Sequence, residues 1–410
     1  MSVIRAGICV LIAFAVLAHG GVESWAEAVL EVGAAFMLLI WAWQYVTQKE
    51  FKLTWNPLFV PLAGVWVIGA VQSGGGFSLI PFLTRMELVR YTALLILFFL
   101  CVQSFRTWAD WRGYVWFLLI LGFCIALLGI LQHFTWNGKL YWIREMRYGG
   151  MPFGPYVNRN HFAGLMEMLI PTGLAVLVLE AEDRDRLPLL TLFVLLPIGA
   201  IFLSASRGGI ISFFAELGCL AVLVFLRQRE KKALVAAGLV AALAIVLVSW
   251  LGIGAALDRF AGYKKLEVTE GRRVGMFYSS LRIFRDYPVL GTGLGTLQEV
   301  FPRYDTVYDG YVVNHSHNDY AEALAETGAL GGIFFFSCLV LLAWTGWKNL
   351  VADHDKKNLA YHAGAIVACF GLLVHSLVDF NLHIPSNALL FAAQAALVTC
   401  ALPQPAERKR

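Results

Sequence analysis

YVWFLLILGFCIALLGILQHF, residues Tyr114 to Phe134, contains no Asp, Glu, Lys or Arg. An α-helix rises about 1.5 Å per residue, so this stretch reaches across the ~30 Å hydrocarbon core of a bilayer. A membrane β-barrel strand is excluded, because the run is too long and too uniformly apolar for that alternating pattern. Similar runs recur near residues 4–19, 26–46, 57–72, 87–103, 161–180, 188–205, 208–226, 233–254, 326–347, 359–376 and 386–403. They predict an all-α polytopic membrane protein with about twelve transmembrane helices. Composition agrees. Of 410 residues, 59% are hydrophobic and 15% charged, with a mean hydropathy of +0.68. A soluble fold of this length does not hide so much apolar surface.

The first run, near Gly7 to Ala18, lacks a small-x-small cleavage site, so it reads as a membrane helix and not a signal peptide. The seven cysteines lie in or beside apolar runs with no C-x-x-C pair, and read as packing residues. A net charge of +4 gives no field for nucleic-acid binding. The basic residues inform by position. With the N-terminus in the cytoplasm, QKEFK (Gln48 to Lys52), SFRTWADWR (Ser104 to Arg112), EDRDR (Glu182 to Arg186), RQREKK (Arg227 to Lys232) and KNLVADHDKK (Lys348 to Lys357) all fall inside. That is the lysine and arginine bias of cytoplasmic loops. The expected organisation is one membrane domain, 1–410, with a large outer loop at 255–320 inserted between spans nine and ten.

Four polar clusters then share the outer face: NRNH (Asn158 to His161), SRGG (Ser206 to Gly209), GRR (Gly271 to Arg273) and NHSHNDYAEALAETG (Asn314 to Gly328). A charge at a helix centre costs about 2.5–3.5 kcal/mol, so such groups persist where they line a wet cavity or meet a partner. Arg207, Arg272 and Arg273 suit an anion, because a guanidinium grips phosphate in a bidentate manner. Each also fits an interfacial or solvated role. Asn158, Arg159 and His161 form a possible headgroup-binding loop. His315 and His317, with Asp319, have metal-ligand chemistry, but no clear set of further ligands accompanies them, although His375 and His383 are also placed outside, and no metal is expected. A histidine at a cavity mouth also makes a general base. Asn318 or Asp319 is placed to cap the helix that follows. Glu322 and Glu326 share one face of it. HSLVDFNLHIPSN (His375 to Asn387) is a further polar break, placed to close the cavity from the far side.

HNDYAEALAETGALG, from His317, resembles the pattern H-[NSQ]-x9-G-x-x-[GTY] of the O-antigen ligase and polymerase superfamily. GRRVGMFYSSLRIFRDYPVLGTGLG resembles the arginine, amphipathic helix and P-[LV]-[LF]-G-x-G-x-G run of that family, and SRGG and VNRNHFAG resemble two more of its features. The resemblance covers the chain from about Val157 onward. It implies a GT-C-like glycosyltransferase of the bacterial inner membrane, working at the periplasmic face without metal or other cofactor. The donor would be a glycan on undecaprenyl diphosphate. The acceptor would be lipid A-core for a ligase, a second lipid-linked glycan for an O-antigen or exopolysaccharide polymerase, or a protein. It maps the essential histidine to His317 and the arginines to Arg207 and to Arg272 or Arg273, the doubled arginine leaving that choice open. A transporter is the competing class, resting on Glu167, Glu216 and Gln394 inside apolar runs.

Overall fold

The computed structural model describes residues 1–47, 52–145, 151–179, 187–228, 238, 270–306, 308 and 310–402. The chain runs through α1 (Ser2–Leu17), α2 (Ser24–Thr47), α3 (Phe59–Gly74), α4 (Pro81–Ser104), α5 (Trp108–Phe134), α6 (Arg159–Leu179), α7 (Leu187–Ser204) and α8 (Arg207–Gln228). After them come α9 (Glu270–Asp286), α10 (Leu297–Val300), α11 (Asp319–Ala352), α12 (Lys356–His375) and α13 (Pro385–Thr399). Among the described residues there is no β-strand, only isolated bridges such as Leu140 to Arg144.

Among the described residues eight helices, α2, α4 to α8, α11 and α12, are long and apolar enough to cross a membrane. The protein is thus all-helical and multi-pass, but the count of about twelve is not confirmed. α1 and α3 are apolar with 16 residues each, and α13 has 15. The expected ninth span, 233–254, lies outside the described residues except for 238, as does 255–269 of the expected outer loop.

α6 is the centre of the bundle: 83% of its apolar window is buried, against 17% for α2 at the rim. α12 lies close along it, since a Cβ on Gly364 would stand 2.3 Å from Thr172 Cα. Small residues permit such approach between membrane helices. Gln394 on α13 donates to Met168 O on α6 at 2.8 Å.

Residues 270–318 are not simply a loop. α9 presents Met276 and Ile283 to Leu297, Val300, Phe301 and Val313, and this small core closes on Ala325 of α11. α11 breaks at Gly328 (φ 63°, ψ −165°). The break receives the YPVLGTGLG segment backbone to backbone. Thr292 N donates to Ala325 O (3.1 Å), Gly293 N to Glu326 O (3.0 Å) and Ala329 N to Pro288 O (2.8 Å). A Cβ at Gly328 would lie 2.4 Å from the Val289 carbonyl, and one at Gly291 2.3 Å from that of Glu326, so neither position has room for a side chain. The glycine spacing is a consequence of this seam, which fixes the outer end of α11 where the polar clusters meet.

Candidate active site

Asp379 lies in the turn between α12 and α13 and is fully buried. Its Oδ2 accepts from Asn160 Nδ2 at 2.7 Å, and its Oδ1 from Phe380 N at 2.9 Å. His161 Nε2 stands 3.5 Å from Oδ1, His317 Nδ1 3.7 Å from the same oxygen, and the Arg273 guanidinium 3.9 Å from Oδ2. Burial alone would raise this carboxyl, but His161 and His317 hold it well below the usual carboxylate range. Asp379 is therefore a fixed anion with two imidazoles and a guanidinium around it. His317 has φ 53°, a left-handed backbone uncommon for a side-chain-bearing residue and found most often at functional positions. Its Nδ1 has no hydrogen-bond partner within bonding distance. A separation of 3.7 Å exceeds a hydrogen bond, and catalytic contacts often tighten only once substrate is bound.

The two arginines of GRR part company. Arg272 is buried and grips Asp305 through both terminal nitrogens, at 2.5 and 2.8 Å. Arg273 turns the other way and donates to Val378 O at 3.0 Å, beside Asp379. Arg207 is exposed at the start of α8, just after Ala205 (φ 54°) and Ser206. The Ser206 hydroxyl donates to Asn160 Oδ1 at 2.8 Å and accepts from Gly209 N at 3.2 Å. One residue on, a Cβ at Gly208 would meet His375 Nε2 at 2.5 Å and Val378 at 3.3 Å. SRGG, NRNH and the Asp379 turn are thereby locked together.

A second cluster lies across the ring of Phe380. That ring is stacked on His315 at 4.5 Å and meets His317 and His161 edge-on at 4.9 and 4.7 Å. His315 Nδ1 pairs with Glu322 Oε1 at 2.7 Å, and His383 Nε2 reaches the same oxygen at 3.3 Å. His383 Nδ1 faces Asp319 Oδ1 at 2.8 Å. Burial opposes charge on His383, but Glu322 and Asp319 push it up to about 10. Asn318 is the helix cap, accepting from Ala321 N at 2.8 Å, while its amide donates to Leu377 O at 2.8 Å. Glu326 accepts from Gly295 N and Leu297 N, both at 2.9 Å, and holds the glycine-rich segment.

Two cavities meet here. One of about 880 Å³ is lined by Asn158, His161, His315, Phe380 and His383, with Arg90, Arg144, Glu23 and Trp25 across from them. The other, about 260 Å³, follows α11 from Asp319 and Glu326 past Gly331 and Phe335 to Leu342, against Leu62, Tyr91, Leu94 and Phe98. His383 lines both.

Residues 192–336 match the family model described as O-antigen ligase. Over that stretch, about a third of the chain, the protein is similar to the O-antigen ligase superfamily. No curated protein matches it. The match supports a glycosyltransferase-type membrane enzyme of the O-antigen ligase and polymerase kind. The ligase domain so matched contains Arg207, Arg272, Arg273 and His317. Asn160, His161, Asp379 and His383, which complete both clusters, lie outside it.

Of the residues that stand out in the sequence, His161, His317 and Arg273 gather at Asp379, and Ser206 ties Arg207's segment to them through Asn160. Asn158 braces the loop by accepting from Asn160 N at 2.9 Å, and Arg159 is buried at the start of α6. His315, Asp319 and Glu322 form the second cluster. His383 stands out in the sequence only as a further histidine on the outer face, and Asp379, Asn160 and Phe380 carry no signal of their own beyond the clusters HSLVDFNLHIPSN and NRNH that contain them. Glu167, Glu216 and Gln394 line neither cavity. Glu167 pairs with His375 at 2.9 Å, and Gln394 with Met168 O.

Proposed function

We propose that this chain moves a glycan from undecaprenyl diphosphate to lipid A-core, at the periplasmic face of the bacterial inner membrane. The observation that carries this reading is the meeting of His317 and Arg273 at the buried Asp379 anion, beside the 880 Å³ cavity. Asp379 orients His317 through Nδ1, leaving Nε2 to take the proton from the acceptor hydroxyl. Such general-base help contributes about 10²–10⁴-fold. The sugar–phosphate bond breaks toward the diphosphate, whose added negative charge meets Arg273 and Arg207. Preplaced cations acting where charge develops are effective in a water-poor site, so the transfer step runs without a metal. The narrower cavity along α11 suits the polyprenyl tail, being apolar beyond its Asp319, Glu326 and His383 end. The insertion of residues 255–320 into a single membrane domain belongs to the same reading, with its described part holding Arg273 in place.

The test is transfer in vitro from defined undecaprenyl-diphosphate glycans to lipid A-core by purified protein. Full transfer by His317→Ala at unchanged protein level would sink the assignment. The acceptor is decided separately by a lipopolysaccharide gel of a deletion strain. Loss of all capped long chains with lipid-linked polymer retained marks a ligase. A single repeat on core marks a polymerase. Unchanged lipopolysaccharide sends the search to other polysaccharides or protein acceptors.

A further inference from the structure

His315, Glu322 and His383 place two imidazoles and a carboxylate around one point. Their ligand atoms, one from each residue, all lie within 4.8 Å of one another. Zinc binds nitrogen and oxygen at about 2.0–2.2 Å, which puts two ligands of one tetrahedral ion roughly 3.3 Å apart. The His383 Nε2 to Glu322 Oε1 separation is 3.3 Å, and that of His315 Nδ1 to the same oxygen is 2.7 Å. Small side-chain adjustments admit an ion.

The surroundings are those that hold metal ligands in place. His383 directs its other nitrogen at Asp319 Oδ1 (2.8 Å), and the second Asp319 oxygen accepts from Leu382 N (3.2 Å). A carboxylate behind a ligating histidine fixes its tautomer and strengthens it as a donor. Glu322 Oε2 is anchored by Ser316 N at 2.8 Å, and the His315 ring rests on Phe380. Once the ion displaces the proton that His383 otherwise shares with Asp319 and Glu322, both imidazoles are neutral and the two carboxylates give the cluster two negative charges, the complement of a dication. His315 and His383 line the 880 Å³ cavity, so a fourth position opens toward it. Three protein ligands and one open position is the pattern of zinc sites that meet substrate.

We propose that His315 Nδ1, Glu322 Oε1 and His383 Nε2 bind one divalent transition-metal ion of the zinc class, its open position facing the cavity. This goes against the expectation of no metal from the H-x-H spacing. The second histidine ligand is His383, from a distant turn, while His317 faces Asp379 across Phe380. The ion therefore lies apart from the transfer residues, and the site stands or falls independently of the transfer reading.

The test uses full-length protein in detergent, purified without a histidine tag and stripped with EDTA. Co²⁺ is titrated in by visible absorption, and bound Zn²⁺ is counted by elemental analysis. One equivalent per chain is expected, bound with micromolar affinity or tighter. His315→Ala and His383→Ala should each weaken binding by at least 100-fold. Asp319→Asn should weaken it by about 10–100-fold, the usual effect of removing such an outer partner. His317→Ala should leave it unchanged. Should His383→Ala fail to fold, His315→Ala and Glu322→Gln decide. No stoichiometric binding by the parent protein, or binding unaltered in the variants, overturns the proposal and leaves a hydrogen-bonded His–Glu–His network.

Discussion

Asp379 and Asn160 are 219 residues apart in the chain and 2.7 Å apart in the fold. The contact joins the turn after α12 to the start of α6, and Asn160 passes it on to Ser206 beside Arg207. Asp379 is thus the group through which the histidine and both arginine segments share one frame. Asp379→Asn keeps the shape but removes the charge, so His317 loses its orienting anion. We expect transfer to fall by about 10²–10⁴-fold with protein still present in the membrane, a larger loss than the lowered melting temperature in detergent accounts for. Transfer within threefold of the parent would show that Asp379 does not act on His317.

The doubled arginine gives a paired prediction. Successive residues on a helix point about 100° apart, so Arg272 and Arg273 serve different neighbours. Arg272→Ala leaves Asp305 without its bidentate partner in a buried setting. That should cost stability, about 3–5 kcal/mol, seen as a lowered melting temperature and less protein in the membrane. Arg273→Ala should fold normally and lose about 10²–10³-fold in transfer, with Arg273→Lys recovering part. The reverse pattern, with Arg272→Ala folded but inactive and Arg273→Ala active, would exchange their roles.

The membrane class was legible because a bilayer imposes length and apolarity on every span, as Tyr114 to Phe134 displays on its own. The count was harder to read: α1, α3 and α13 are apolar yet short. His317 and Arg207 stood out by their motifs. Asp379 did not, because its meaning depends on a turn folding back onto α6, which no local spacing encodes. The H-x-H pair does not act as a unit, for a related reason. His317 has a left-handed φ, and the two imidazoles meet Phe380 differently, His315 stacked on its ring and His317 edge-on, the ring belonging to that same returning turn. A shared face with Glu322 does not tell what Glu326 does, and only the backbone contacts to Gly295 and Leu297 show that it holds the glycine-rich segment.

The depressed proton affinity of Asp379 fixes a pH signature. A carboxylate whose folded pKa lies below its unfolded value, about 3.9, contributes stability that is fully present above that unfolded value. The contribution is lost as pH falls through the lower, folded pKa. The difference in melting temperature between the parent and Asp379→Ala should therefore hold steady from neutral pH to about pH 5 and shrink only at more acid pH. A difference that fades between pH 7 and 5 would mean that Asp379 binds its proton more readily than its surroundings imply.

Glu216 supplies the last prediction. It lies within α8, buried, and neither carboxyl oxygen has a hydrogen-bond partner among the described residues. The backbone of α12 closes over it: a Cβ on Gly371 would overlap Glu216 Oε1. A buried polar group left unsatisfied costs about 1–3 kcal/mol, and an apolar side chain of similar size removes that cost. Glu216→Leu should raise the melting temperature in detergent, and Glu216→Gln should change it less. Since Glu216 lines neither cavity, transfer should persist in both variants. A Glu216→Leu protein that is more stable yet unable to transfer glycan would instead mark this carboxyl as kept for function, at a cost in stability. A less stable one would show that it has a partner within the bundle.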